Sequence, residues 1–156
     1  MDIALQLGVQ NLLARYAHAI DDDRLEEWPD LFVEDGRYRL TTAENLALGH
    51  PLSLIVADSR AMLRDRVSAL RHANIYEAQR YRHMHCATLV EAIDARTVRA
   101  VSSFQVLRIM HGGESMPFAS GRYLDRIRLA DAGMQFEERV VVCDSRAFDT
   151  LLAIPL

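Results

Sequence analysis

Two histidines, His83 and His85, sit two positions apart in a run that reads as a strand, so both imidazoles point the same way. Two imidazoles on one face can begin a metal site, but Cys86 would face the opposite side and no third ligand lies nearby. The paired Cys-x-His and Cys-x-x-His spacing that holds an iron–sulfur cluster does not occur, and no two-His-one-carboxylate set for non-haem iron is apparent. Phosphate-binding glycine loops and the Gly-x-Ser-x-Gly elbow are also missing, and Gly112-Gly113 reads as a turn between strands. The chemistry left open is acid–base. Tyr16, Asp21, His83 and His85 could converge in a conical pocket, where a His–Asp pair could remove a proton next to a carbonyl. The alternative is structural: Asp21 caps the next turn and Tyr16 packs in the core.

A second cluster, Arg80-Tyr81-Arg82-His83, places two guanidiniums around an aromatic ring. It reads either as a solvated loop entering a strand or as a docking edge for an acidic partner, since the arginine fork pairs carboxylates bidentately. All 18 basic residues are arginine, and the net charge of −4 argues against a nucleic-acid partner. Cys86 and Cys143 lie in apolar runs and read as buried thiols. No apolar stretch is long enough to span a membrane, and Met1-Asp2-Ile3 opens without a signal peptide, so the expected location is cytoplasmic.

These side chains need a frame, and the hydrophobic periodicity supplies one. Leu5, Val9, Leu12, Leu13, Tyr16 and Ile20 recur at helical spacing, predicting a helix from about Ile3 to Ala19, with Asp2 as N-cap and Asp21-Asp22-Asp23 at its end. A short helix is expected over 25–32 around Pro29. Gly36 then turns the chain into a strand over 37–41, and a second strand covers 52–56. Leu63, Val67 and Leu70 mark a helix over 60–72, capped by Asp58 or Ser59. Four long strands follow, over 83–92, 97–110, 118–129 and 134–143. The breaks at 94–96, 111–113 and 131–133 are too short for parallel crossovers. The chain therefore reads as a single α+β module over 1–156, with its helices on one face of a strongly curved, mostly antiparallel sheet. Strand 97–110 is apolar on both faces: Val98, Ala100, Phe104 and Val106 on one, Val101, Leu107 and Ile109 on the other. The second face suggests packing against another subunit.

Several stretches carry a resemblance. Tyr16-Ala17-His18-Ala19-Ile20-Asp21, Trp28-Pro29-Asp30-Leu31-Phe32 and Asp35-Gly36-Arg37-Tyr38-Arg39 look like the start of a cystatin-like, NTF2-like domain, a fold shared by dehydratases, isomerases and non-catalytic subunits. The stretch from Ala57 to Arg71, Ala73-Asn74-Ile75-Tyr76-Glu77, Val106-Leu107-Arg108-Ile109-Met110-His111, Phe118 to Asp125 and Val142-Cys143-Asp144-Ser145 are similar to small subunits of aromatic-ring-hydroxylating dioxygenases, those of the terephthalate type above all. The resemblance implies a cone-shaped, non-catalytic beta subunit in an assembly of three large and three small subunits. It also implies that a Rieske cluster and a mononuclear iron reside in the large subunit, that a reductase delivers electrons from NAD(P)H, and that this chain holds no cofactor. Arg80, Arg82 and His83 are the expected interface residues. A stand-alone dehydratase or isomerase using Asp21 with His83 or His85 is the rival.

Overall fold

A computed structural model describes residues 2–50, 52–74, 76–131, 133–145, 148 and 152–156. The first helix, α1 (Ile3–Asp21), starts where Asp2 accepts hydrogen bonds from the N–H groups of Ala4 and Leu5. Its stripe of Val9, Leu12, Leu13, Tyr16 and Ile20 is buried. The helix runs two residues beyond the expected end and carries Asp21 into its last turn. The chain then bends at Asp23, whose φ is +57°.

In place of one short helix over 25–32 there are two 3₁₀ turns, Leu25–Glu27 and Pro29–Leu31, hinged at the fully buried Trp28. Pro29 opens the second turn, where its missing N–H costs nothing. Strand β1 (Phe32–Thr42) begins five residues before the expected start. Gly36 is not a turn but lies within β1, at a register irregularity against β6 (Gly133–Cys143). A Cβ there would approach the Phe32 Cβ and the Val33 carbonyl oxygen at 2.8 Å, so the close backbone approach demands glycine.

A short helix, α2 (Ala43–Ala47), was not anticipated; Thr42 caps it. The strand expected over 52–56 shrinks to β2 (Ile55–Ala57). Helix α3 (Arg60–His72) matches its expected bounds, and Ser59 is the cap. The long strands are β3 (Gln79–Ala92), β4 (Thr97–Met110), β5 (Ser115–Ala130) and β6. Arg80 to His83 thus belong to a strand from the outset, not to a loop. Gly113 supports the β4–β5 turn with φ +89°. Ala132, in the break before β6, lies outside the described residues.

The sheet order is β2-β1-β6-β5-β4-β3, antiparallel throughout except for the parallel β1–β6 pair. Helix α1 packs on β3 and β6, and α3 on β1, so the helices close one face of the sheet. That face holds Tyr38, Leu40, Val98, Ala100, Phe104, Val106, Tyr123, Ile127, Phe136 and Val141, all buried. Cys143 is buried and its thiol is pushed up to about 12 by desolvation, so it is inert at neutral pH. Cys86 departs from the expectation: it is exposed, because it points away from the helices on the edge strand β3.

Candidate functional site

The interior of the cone joins residues from both ends of the chain. Asp21, at the end of α1, accepts two hydrogen bonds from His83 on β3: the backbone N–H at 2.8 Å and Nδ1 at 2.6 Å. Both side chains are only 2 % exposed. A carboxylate takes a proton donor, so His83 carries hydrogen on Nδ1. Nε2 is buried with no partner among the described residues. Asp21 is therefore not the cap of the next turn; it ties the first helix to the edge of the sheet.

His85 points to the same side as His83 and is half-buried. Burial lowers its pKa, and the nearby Arg139 and His83 lower it further. The Tyr16 ring stands edge-on to His83 at 6.4 Å between centroids. Tyr16, Asp21, His83 and His85 do gather in one region, as the sequence suggested. The wall around them is packed side chain, with Tyr81 at 6.1 Å on another side of His83.

The most unusual group was not foreseen. Arg139 on β6 is fully buried, and its Nε and Nη2 donate to the two oxygens of Asp125 at 2.8 and 2.7 Å. Its guanidinium lies 4.0 Å from the ring centres of Tyr16 and Tyr123 and 4.2 Å from that of Phe136. Burial alone would lower its pKa, but Asp125 and the surrounding phenols more than offset that, so it stays a cation. The sequence did hold a signal: Asp125 falls between Tyr123 and Ile127 on the apolar side of its strand, a position that requires a buried cation opposite.

A second unforeseen feature is the segment 152–156. Leu156 is fully buried, and its carbonyl oxygen accepts from the Tyr16 hydroxyl at 2.6 Å and the Tyr38 hydroxyl at 3.0 Å. Its own N–H donates to the Tyr38 oxygen at 3.2 Å. Arg66 of α3 donates to the carbonyls of Leu152 and Ala153.

The outer face of the sheet is organised differently. Leu89, Val101, Leu124, Val140, Arg39 and Val56 are successive cross-strand partners and form one row across all six strands. Leu89 is 76 % exposed and Val56 42 %, and the central three are half-buried. The adjacent row, Glu91, Arg99, Arg126, Glu138 and Arg37, is charged throughout, with Arg99 to Glu91 at 3.7 Å and Arg37 to Glu138 at 3.4 Å. An apolar band edged by mixed charge is the anatomy of a protein interface. Arg80 and Arg82 project on this outer side, and both are exposed. His83, expected with them on a docking edge, faces inward instead because adjacent strand residues alternate; its bond to Asp21 keeps it from a partner's reach. Among the described residues, no three His, Cys, Asp or Glu side chains converge to hold a metal ion.

The comparisons decide the family. The sequence profile described as "Ring hydroxylating beta subunit" matches residues 15–150. The chain belongs to that family. It is 48 % identical to the beta 1 subunit of the terminal oxygenase component of terephthalate 1,2-dioxygenase from Comamonas sp., over 92 % of this chain and 93 % of that one. It is 36 % identical to the anthranilate 1,2-dioxygenase small subunit of Burkholderia cepacia, over 99 % and 96 %. A crystal structure from Novosphingobium aromaticivorans, provisionally assigned as the beta subunit of an aromatic-ring-hydroxylating dioxygenase, superposes with a TM-score of 0.89 at 34 % identity, covering 99 % and 97 %. The fold is thus the NTF2-like cone of such subunits. The chain is the small subunit of an aromatic-ring-hydroxylating dioxygenase, an accessory component of an oxidoreductase whose large subunit is its partner.

Proposed function

We propose that this beta subunit is a scaffold that supplies shape and contact surface but no catalytic residue, in a cytoplasmic terminal oxygenase acting on an aromatic carboxylate of the terephthalate type. The Rieske cluster and the mononuclear iron belong to the large subunit, electrons arrive from NAD(P)H through a reductase, and three large and three small subunits make the assembly. The substrate class rests on the relatives, which act on terephthalate and anthranilate, both aromatic carboxylates. One observation supports the scaffold role: the apolar row Leu89, Val101, Leu124 and Val140 crosses four neighbouring strands on the outer face. A lone chain gains nothing from solvating such a band, whereas obligate interfaces are built from it.

The inner residues fit the same role. His83 donates two hydrogen bonds to Asp21, and its Nε2 is buried beside the Tyr16 and Tyr81 rings. Co-expression with the large subunit, followed by metal analysis, tests the division of labour. Iron should travel with the complex, and this chain purified alone should carry none and turn over no aromatic acid. Stoichiometric iron on the lone chain, or turnover by it, defeats the proposal.

A further inference from the structure

The outer face of the sheet is covered on one side only. After β1 the chain leaves the sheet, forms α2 and residues 48–50 and 52–54, and returns as β2. Helix α2 packs on β1 and β6, and the Thr41 hydroxyl donates to the Leu52 carbonyl oxygen at 3.1 Å. Thr41 and its cross-strand partner Val142 point outward, in step with Arg39 and Val140, yet both are buried. The excursion is therefore an arm laid over the outer side of β1 and β6. Among the described residues nothing covers the β5-β4-β3 half in the same way. Arg122, the partner of Val142 on β5, is exposed, and so are Met84 and Leu89 on the edge strand.

The arm is apolar toward solvent as well. Leu46, Leu48, Leu52 and Leu54 are all exposed, Leu52 by 68 %, and they run on into Val56 on the free edge of the sheet. Leucines gathered this closely in water mark a contact surface. Charge tells the two surfaces apart. From Ala43 to Ser59 the chain holds Glu44 and Asp58 and no arginine, although arginine is its sole basic side chain apart from histidine. The bare half of the sheet exposes Arg82, Arg99 and Arg122.

One chain thus carries two uncovered apolar surfaces at opposite ends of the order β2-β1-β6-β5-β4-β3, one rimmed by acids and the other by arginines. Three-fold symmetry makes a contact heterologous, so each copy must offer two different surfaces, one to each neighbour. We propose that, in the ring of three small subunits, the arm of each copy packs on the bare β5-β4-β3 half of the next. The arm of one copy then continues, over the Arg122 and Ser103 positions of its neighbour, the cover that the neighbour's own arm gives Thr41 and Val142 in the same cross-strand row. This contact rests on the proposed scaffold of three large and three small subunits and names the segment that closes it.

The test uses the complex with the large subunit, in a Cys86→Ser background; the other thiol, Cys143, is buried. Leu48→Cys and Leu89→Cys, both at exposed positions, are made separately and together. In the double variant a short bismaleimide should join the small subunits into covalent trimers on a denaturing gel. Neither single variant should give small-subunit dimers, because like positions do not meet. Leu52→Cys with Arg122→Cys repeats the measurement at a second pair of positions. Trimers from either pair support the contact. Dimers as the largest product of both pairs point to a reciprocal two-fold contact and overturn the ring. Dimers from Leu48→Cys alone, products that join the arm to the large subunit in place of trimers, or no product from either pair overturn the arm contact. Metal analysis of the same complexes keeps the two readings apart: iron on the large subunit without trimers removes the arm contact and leaves the scaffold, whereas iron on this chain removes the scaffold.

Discussion

Asp125 and Arg139 are direct cross-strand partners on β5 and β6, and each holds the other's charge in a region where neither touches solvent. Desolvation pushes the Asp125 carboxyl upward, and Arg139 opposes that with two hydrogen bonds. A buried pair of this kind is weak evidence of net stabilisation, but breaking it leaves one uncompensated charge inside. Asp125→Leu should therefore lower the unfolding free energy by about 3–5 kcal/mol in urea titrations. Asp125→Leu/Arg139→Met should recover much of that loss, since the methionine still packs against Tyr16, Tyr123 and Phe136. A double variant no more stable than the single one would show that the guanidinium's contacts with the three rings matter more than its charge partner.

Asp21 plays a similar part between α1 and the edge strand. Asp21→Asn keeps one acceptor but removes the charge-assisted bond to Nδ1, which should cost about 1.5–3 kcal/mol of stability. On the scaffold proposal, dioxygenase turnover per assembled complex stays at the parent level. A loss of turnover in complexes that assemble normally would return the pair to the acid–base chemistry considered from the sequence.

Much of this was legible in the residues. The helix over 60–72 and the strand over 97–110 are bounded as their apolar spacing predicts, and the short breaks imply the antiparallel run from β3 to β6. Pairing of Asp21 with His83 was among the options that residue types allowed. What could not be read depends on tertiary contact. Gly36 looks like a turn until the nearness of Phe32 and Val33 shows why a glycine sits inside the strand. Cys86 looks buried in an apolar run, yet it lies on the edge strand, where nothing covers its outer side. The place of Leu156 has no local signature at all, because its partners Tyr16 and Tyr38 are 140 and 118 residues away.

His85 sets a pH dependence. Its folded pKa is depressed below 6.5, first by burial and then by Arg139 and His83, so the folded state disfavours its protonated form. His18 is the other charged neighbour acting on it. The unfolded chain takes up the proton first as pH falls. The contribution to stability is thus complete above 6.5 and is lost as pH drops through the window down to the folded value. Melting temperature followed from about pH 8 to about pH 5 should fall more steeply for the parent than for His85→Gln. Parallel curves for the two proteins would remove His85 as the source.

The outer face makes the sharpest demand on assembly. Leu124 stands at the centre of the apolar row, flanked by Val101 and Val140 on the neighbouring strands. Leu124→Glu puts a charge into that band while leaving the inner core untouched. The lone chain should still fold, with a melting temperature within a few degrees of the parent, because a half-buried surface position rarely costs more than about 1 kcal/mol. Sedimentation and co-purification should nevertheless show that it no longer enters the complex, since an unpaired charge at the centre of an interface must be desolvated. Arg82→Glu should weaken docking to the large subunit if an acidic patch faces it there. Arg82 also lies 3.7 Å from Asp21, so a glutamate at that place would repel the Asp21 carboxylate within the chain as well. Arg80→Glu separates the two effects, because among the described residues the arginine paired with Asp21 is Arg82, and Arg80 shares the outer side of β3. Weaker co-purification of both variants locates the partner along this edge. A defect in Arg82→Glu alone, accompanied by a lower melting temperature, traces the effect to Asp21, and a Leu124→Glu chain that assembles normally removes the row from the interface.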